Sequence, residues 1–102
     1  MNFKLGRLAK HDLYDITDYY ANIDLELGER FVKELNGALS TLCLNPKMGS
    51  RRYAHFLPDH SLQVWQLDRF PFLIFYRQEN TTLIVLRILH ERRDLAASLI
   101  TH

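Results

Sequence analysis

The sequence predicts an α+β protein, because the spacing of its apolar residues changes near the middle of the chain. Before residue 46, apolar residues recur at steps of three and four, as on one face of an amphipathic helix. After residue 61 they form short runs rich in Phe, Ile, Leu and Val, which are typical of strands. We expect an N-terminal strand, then a two-helix hairpin packed on a three- to four-stranded, mainly antiparallel sheet, and a short C-terminal helix or tail.

The first two elements follow from local patterns. Residues 2–5 alternate between polar and apolar, with Phe3 and Leu5 on one face, and predict a short edge strand. A first helix is predicted from five apolar residues at helical spacing: Ala9, Leu13, Ile16, Tyr20 and Ile23. Asp12 and Asp15 lie near its start, where carboxylates complement the positive end of the helix dipole.

A second helix is predicted after a break at residues 21–24, because Asn22 and Asp24 are good N-cap residues. Its apolar stripe consists of Leu27, Phe31, Leu35, Ala38 and Leu42. Asn45-Pro46 ends it, since proline lacks a backbone donor and disfavours helix in the preceding residue. Gly37 weakens the helix, and we interpret it as allowing close packing against the first one.

Three strands are expected in the second half: Leu62 to Phe70, Phe72 to Arg77, and Thr82 to His90. The polar stretch 78–81 is short enough for a hairpin, so the last two strands should be antiparallel. The last strand is apolar on both faces and is therefore predicted to be central. Residues 91–99 are expected to form one or two helical turns or an ordered tail. The helical hairpin covers one face of the sheet, and no evident cover exists for the other.

Composition restricts the possible functions. The chain has 102 residues, 47% of them hydrophobic, which predicts a single domain over residues 1–102. Its longest apolar run, residues 70–76, is far too short for a membrane span, and we expect a cytoplasmic protein without membrane contact. Cys43 is the single cysteine, so no intramolecular disulfide is expected, and a packed thiol is a better interpretation than a nucleophile.

No catalytic or cofactor motif is present in the sequence. The five histidines show no metal-ligand spacing, and no phosphate-binding glycine loop or nucleophile elbow occurs. The acidic residues of the helical half are interpreted as solvated helix faces, with no catalytic pair among them. We therefore expect no metal, no cofactor and no catalytic residue.

Positive charge is concentrated in the second half of the chain. Residues 1–45 carry 5 basic and 7 acidic groups, whereas residues 46–102 carry 8 basic and 5 acidic groups. Arginine suits the recognition of phosphate or carboxylate groups. For each single arginine, the alternative interpretation is a surface residue that only keeps the protein soluble. Arg87 lies in an otherwise apolar run, so it is either paired inside the protein or placed on a working face. His90 ends the last strand beside Arg92 and Arg93, a position from which its side chain can reach a partner. The alternative is an edge histidine with its polar tip in water.

Four motifs in order give the chain a family resemblance. They are D-L-x-x-I-x-x-Y from Asp12, L-x-x-N-P-x-x-G from Leu42, F-x-x-x-Y-R from Phe72, and I-V-x-R-I-L-H-x-R-R-D from Ile84. In this combination the chain resembles the ParE branch of the RelE/ParE toxin superfamily over nearly its whole length. The resemblance implies a bacterial type II toxin that inhibits DNA gyrase, and so DNA replication, without being an enzyme. It also implies a ParD-like antitoxin that neutralises it.

The resemblance leaves two alternatives open. RelE-like toxins cleave mRNA on the ribosome with basic residues and often a C-terminal tyrosine, but here Leu73 stands where such toxins carry an arginine, and the tail lacks a tyrosine. Arginines alone supply charge stabilisation and no general base, which disfavours the nuclease. A non-toxic homologue that only binds antitoxin is the other alternative.

The resemblance and the charge pattern together give two candidate surfaces. The target-binding residues, which would meet gyrase and, indirectly, gyrase-bound DNA, are Arg52, Arg69, Arg87, His90, Arg92 and Arg93. The antitoxin-binding residues, chosen because aromatic and large apolar side chains anchor interfaces, are Tyr14, Tyr19, Phe31 and Leu39. Core packing is the alternative interpretation for each of these four.

Overall fold

A computed structural model describes residues 1–93 and Leu99. Its elements are β1 (Asn2–Leu5), α1 (Arg7–Ile23), α2 (Leu25–Leu44), two short 3₁₀ turns (Pro46–Met48 and Ala54–Phe56), β2 (Gln63–Gln66), β3 (Phe72–Glu79) and β4 (Thr82–His90). This order confirms the predicted α+β fold. Of the helical turns or ordered tail expected over residues 91–99, the part from 94 to 98 lies outside the described residues.

The four strands form one mixed sheet in the order β1-β4-β3-β2. β1 pairs with β4 in parallel, and the other neighbours are antiparallel, so β4 is central as its two apolar faces predict. β2 is shorter than the expected strand from Leu62 to Phe70, because the chain turns back soon after Gln66. β3 instead runs on to Glu79, which leaves a tight turn with Asn80 at φ 55°, a left-handed conformation that asparagine tolerates.

The helical hairpin forms at the predicted break. Asp24 caps α2, since its carboxylate accepts a hydrogen bond from the Glu26 backbone N–H at 3.0 Å. The close approach between the helices occurs at Gly28, where an added Cβ would lie 3.1 Å from the Ala21 Cβ. Nothing lies within 4 Å of such a Cβ at Gly37, so our interpretation of Gly37 as a packing residue is wrong.

The helices cover one face of the sheet and form the main core. The sheet contributes Phe72, Ile74, Tyr76, Leu83, Val85 and Ile88, and the helices contribute Ala9, Ile16, Phe31, Leu35, Leu39 and Leu42. Most of the predicted helical stripes lie in this core. Ile23, the last residue of the first stripe, is an exception at 62% exposure.

The second face of the sheet is covered by residues 50–62, so the expectation that it has no cover is wrong. Ser50 pairs with Val64 of β2, and the chain then folds back over the sheet. A second apolar cluster results, which contains Tyr53, Phe56, Leu57, Leu62, Val64, Leu73, Phe75, Leu86, Leu89 and Leu99. Periodicity did not reveal this cover, because the covering segment has mostly irregular backbone.

Tyr76 fixes the connection between the helices and the sheet. Its hydroxyl donates to the Pro46 carbonyl at 2.7 Å and accepts the Gly49 backbone N–H at 3.0 Å. An added Cβ at Gly49 would overlap that hydroxyl oxygen and lie 2.8 Å from the Tyr76 Cζ. Position 49 therefore requires glycine for lack of space, and the buried hydroxyl has both its partners.

Candidate functional site: the basic sheet end

One end of the sheet collects most of the predicted target-binding residues. Phe72 pairs with His90, and Gln66 pairs with Leu73, so the β2–β3 turn and the end of β4 lie side by side. The basic groups at this end are Arg69, His90, Arg92 and Arg93, and we call this group the basic sheet end. The three arginines are exposed, while His90 is half-buried.

Backbone and side-chain hydrogen bonds hold the two turns of this end together. The Glu34 carboxylate of α2 accepts the Arg69 backbone N–H at 3.0 Å. The Glu91 N–H donates to the Pro71 carbonyl at 2.9 Å, and its carboxylate accepts the Gln66 side-chain amide at 2.8 Å. The turn after β4 is therefore fixed against the β2–β3 turn, which leaves the arginine side chains at the surface.

His90 has a defined orientation within this end. Its ring packs edge-on against Phe72, with the ring centroids 5.3 Å apart at 79°. Its Nδ1 accepts the Arg92 backbone N–H at 3.1 Å. In the neutral imidazole the proton then resides on Nε2, which makes Nε2 a hydrogen-bond donor.

Arg87 does not belong to the basic sheet end. Its Nε and Nη2 donate to the two carboxylate oxygens of Asp12 at 2.8 and 2.9 Å, and the side chains of Arg87 and Asp12 are only 12% and 9% exposed. The hydrogen bonds that Arg87 donates to the Asp12 carboxylate raise the pKa of Arg87 above its ordinary value. Of the two interpretations of Arg87, internal pairing is the one that the structure shows, and its assignment to the target-binding set stays a prediction.

Arg52 is also separated from the other predicted residues. It follows Ser50, whose antiparallel pairing with Val64 carries the chain away from the end of β2 that bears Arg69. Its guanidinium lies over the ring of Tyr53, 4.8 Å from the centroid. The structure therefore does not unite Arg52 with Arg92 and Arg93.

The predicted antitoxin-binding residues divide into two pairs. Phe31 and Leu39 are 0% and 1% exposed in the main core, so the prediction that they anchor a partner is wrong. Tyr14 and Tyr19 are 66% and 63% exposed on α1 and remain candidates. Phe31 and Leu39 lie on the inward stripe of α2, and this helical spacing is the signal that identifies them as core residues.

Two features were missed by the sequence analysis. Asp12 was read as part of a solvated helix face, yet it is buried and also accepts the Ile88 backbone N–H at 2.9 Å. Leu44 at the end of α2 is 88% exposed, and Phe3 of β1 is 40% exposed. Both leave apolar surface open beside the β1 edge of the sheet.

No group of His, Cys, Asp and Glu side chains in residues 1–93 is arranged to hold a metal ion. Leu73, at the position where RelE-like toxins carry an arginine, is 2% exposed within the second cluster. No helix among the described residues has the length and hydropathy needed to cross a bilayer.

Comparison with known proteins decides the family. A profile described as "ParE toxin of type II toxin-antitoxin system, parDE" matches residues 3–95. The chain belongs to the ParE toxin family. A search of curated protein sequences finds no significant match.

A solved structure supports the same fold for this ParE-family chain. The chain is similar to one in the "Chromosomal ParDE TA system from P. aeruginosa", with 25% sequence identity and a TM-score of 0.73. The alignment covers 88% of this chain and 95% of that one. The two chains therefore share a fold of two helices packed on a four-stranded sheet.

Proposed function

We propose that this ParE-family protein inhibits DNA gyrase, and so DNA replication, by binding and not by catalysis, and that a ParD-like antitoxin neutralises it. The family match over residues 3–95 carries the proposal. The similar chain comes from a solved "Chromosomal ParDE TA system" of P. aeruginosa, which supports an antitoxin partner here. The protein is proposed to act in the cytoplasm, where gyrase and DNA are found.

The basic sheet end is the surface proposed to meet gyrase or its DNA-bound complex. Arg69, Arg92 and Arg93 extend from two turns that hydrogen bonds hold together, so they can contact a partner without reordering the backbone. Guanidinium groups suit carboxylates of a protein and phosphates of DNA alike. Inhibition by a surface of this kind requires no general base.

A gyrase assay with a matched arginine variant tests the proposal. Purified wild-type protein is expected to inhibit supercoiling and to accumulate cleaved plasmid after denaturation of gyrase. Replacement of Arg92 and Arg93 by Ala is expected to weaken inhibition about tenfold or more, as loss of interfacial arginines does. Arg52→Ala, an exposed arginine elsewhere on the molecule, is the control and should leave inhibition unchanged.

The nuclease alternative is examined with the same protein samples. Translating ribosomes are incubated with the protein, and mRNA 5′ ends are mapped. Intact mRNA together with trapped gyrase–DNA complexes supports the proposal. Cuts in the ribosomal A site with unaffected gyrase would replace it with the RelE-like activity, and His90 beside Arg92 and Arg93 would then be the first catalytic candidate. Absence of both effects, with antitoxin binding retained, would identify a non-toxic homologue.

A further inference from the structure

A cavity of about 390 Å³ lies on the second face of the sheet, beside the start of α1. Its walls are apolar side chains from α1, the covering segment, β4 and the C-terminal part of the chain: Leu8, Phe56, Leu57, Leu62, Leu86 and Leu99. The volume lies within the range of about 300–1,000 Å³ that is usual for small-molecule sites. None of these wall residues belongs to the basic sheet end, so the cavity is a separate feature of the molecule.

Two irregularities of the sheet make room for this cavity. β1 is short and leaves β4 beyond Val85 without a neighbouring strand among the described residues. β4 also carries a bulge between its pairs with Phe75 and Tyr76, and Leu86 is the extra residue. Bulges redirect side chains and are frequent beside functional sites. Here the extra residue forms part of the cavity wall.

The charged residues in the lining are all arginines, namely Arg7, Arg77 and Arg87, and none of the described lining residues is acidic. Arg87 is held by Asp12. Arg77 pairs with Glu79 at 2.7 Å, but the Glu79 side chain is 51% exposed, so water screens this pair and a ligand can compete for it. Arg7 is exposed and makes no ion pair with another described residue. An anionic ligand is therefore complementary to the lining.

We propose that this space, which we call the Arg7 cavity, binds a small carboxylate with an aliphatic tail, that is, a medium-chain carboxylate. The carboxylate accepts hydrogen bonds from Arg7 and Arg77, and the tail packs on the leucines of the wall. A peptide fits less well, because its backbone polar groups would lack partners among apolar walls. A phosphate monoester carries up to about two charges and costs more to desolvate than a carboxylate.

Two ligand comparisons test the chemistry of the headgroup and of the tail. Octanoate, octylammonium and hexanoate are titrated into the purified, isotope-labelled full chain, and amide chemical shifts are followed by NMR. Octanoate is expected to shift the amides of Gly6, Leu57 and Leu86 to saturation, and octylammonium to bind at least about tenfold more weakly. Hexanoate should also bind about tenfold more weakly, since each buried methylene group contributes about fourfold to affinity.

Arginine variants locate the headgroup. Arg7→Ala and Arg77→Ala are each expected to weaken octanoate binding about fivefold or more. Arg7 is exposed, so its replacement should leave the fold intact. Arg30→Ala is the matched control: it removes an exposed, ion-paired arginine from α2, which contributes no described residue to the lining. This variant should bind octanoate as the wild type does.

The outcomes are decisive in both directions. Saturable binding that prefers octanoate and weakens in both cavity variants, but not in Arg30→Ala, supports the site. Equal affinity for octanoate and octylammonium, shifts confined to other surfaces, or wild-type affinity in both Arg7→Ala and Arg77→Ala overturns it. Because the titration contains neither gyrase nor antitoxin, the proposed function can fail without changing this result.

Discussion

The buried pair of Asp12 and Arg87 yields the sharpest stability prediction. β1 ends at Leu5, so beyond Val85 the edge of β4 has no strand beside it. Asp12 of α1 takes that place, accepting the Ile88 backbone N–H at 2.9 Å as well as two hydrogen bonds from Arg87. Asp12→Ala removes all three at once and takes the bidentate carboxylate away from a guanidinium whose side chain is only 12% exposed.

The cost of Asp12→Ala follows from what is left behind. Removing one partner of a buried ion pair costs about 3–5 kcal/mol, because the remaining charge stays desolvated. The unpaired Ile88 N–H is part of that loss, at about 1–3 kcal/mol. Replacing Arg87 by Met in the same chain removes the desolvated charge that has lost this carboxylate, so the double variant should recover part of that loss.

Urea unfolding at neutral pH measures these differences. With a slope of about 1–3 kcal/mol per molar urea, Asp12→Ala should lower the midpoint by about 1 M or more. The Asp12→Ala and Arg87→Met double variant should unfold at higher urea than Asp12→Ala alone. A loss below about 1 kcal/mol, or a double variant no more stable than Asp12→Ala, would refute the view that the buried guanidinium's loss of its carboxylate dominates the cost.

Three further predictions concern packing and pH. Gly49→Ala should destabilise the protein by about 1–3 kcal/mol, because the new Cβ overlaps the Tyr76 hydroxyl. Gly37→Ala should stabilise it by about 0.5–1 kcal/mol, because the space around its Cβ is open. Thermal melts of the two variants check these opposite signs. Burial raises the pKa of Tyr76, so the unfolded chain loses the hydroxyl proton at lower pH than the folded protein does. The free energy of unfolding should therefore fall as pH rises above about 10. Measured over the same pH range, it should fall less steeply for Tyr76→Phe. Phe31→Ala should cost about 3–5 kcal/mol in chemical unfolding and Tyr14→Ala less than about 1, and equal losses would contradict the assignment of Phe31 to the core.

Elements with a repeating pattern were predictable from the sequence. The stripe of α2, its cap at Asp24 and its end before Pro46 all depend on contacts within a few residues, and each one is confirmed. The central place of β4 followed from two apolar faces. The cover of the second sheet face was not predictable, because residues 50–62 bury side chains from irregular backbone whose direction no periodicity reveals.

The candidate site was only partly predictable for a related reason. Arg69, Arg92 and Arg93 come together because strand register places two turns side by side, and the predicted hairpin already implied part of that geometry. Arg87 and Asp12 are 75 residues apart in sequence, and only the seating of α1 on the edge of β4 makes them partners. The residues around a helical aspartate look the same whether its side chain is solvated or, as for Asp12, accepts a hydrogen bond from an uncovered sheet edge.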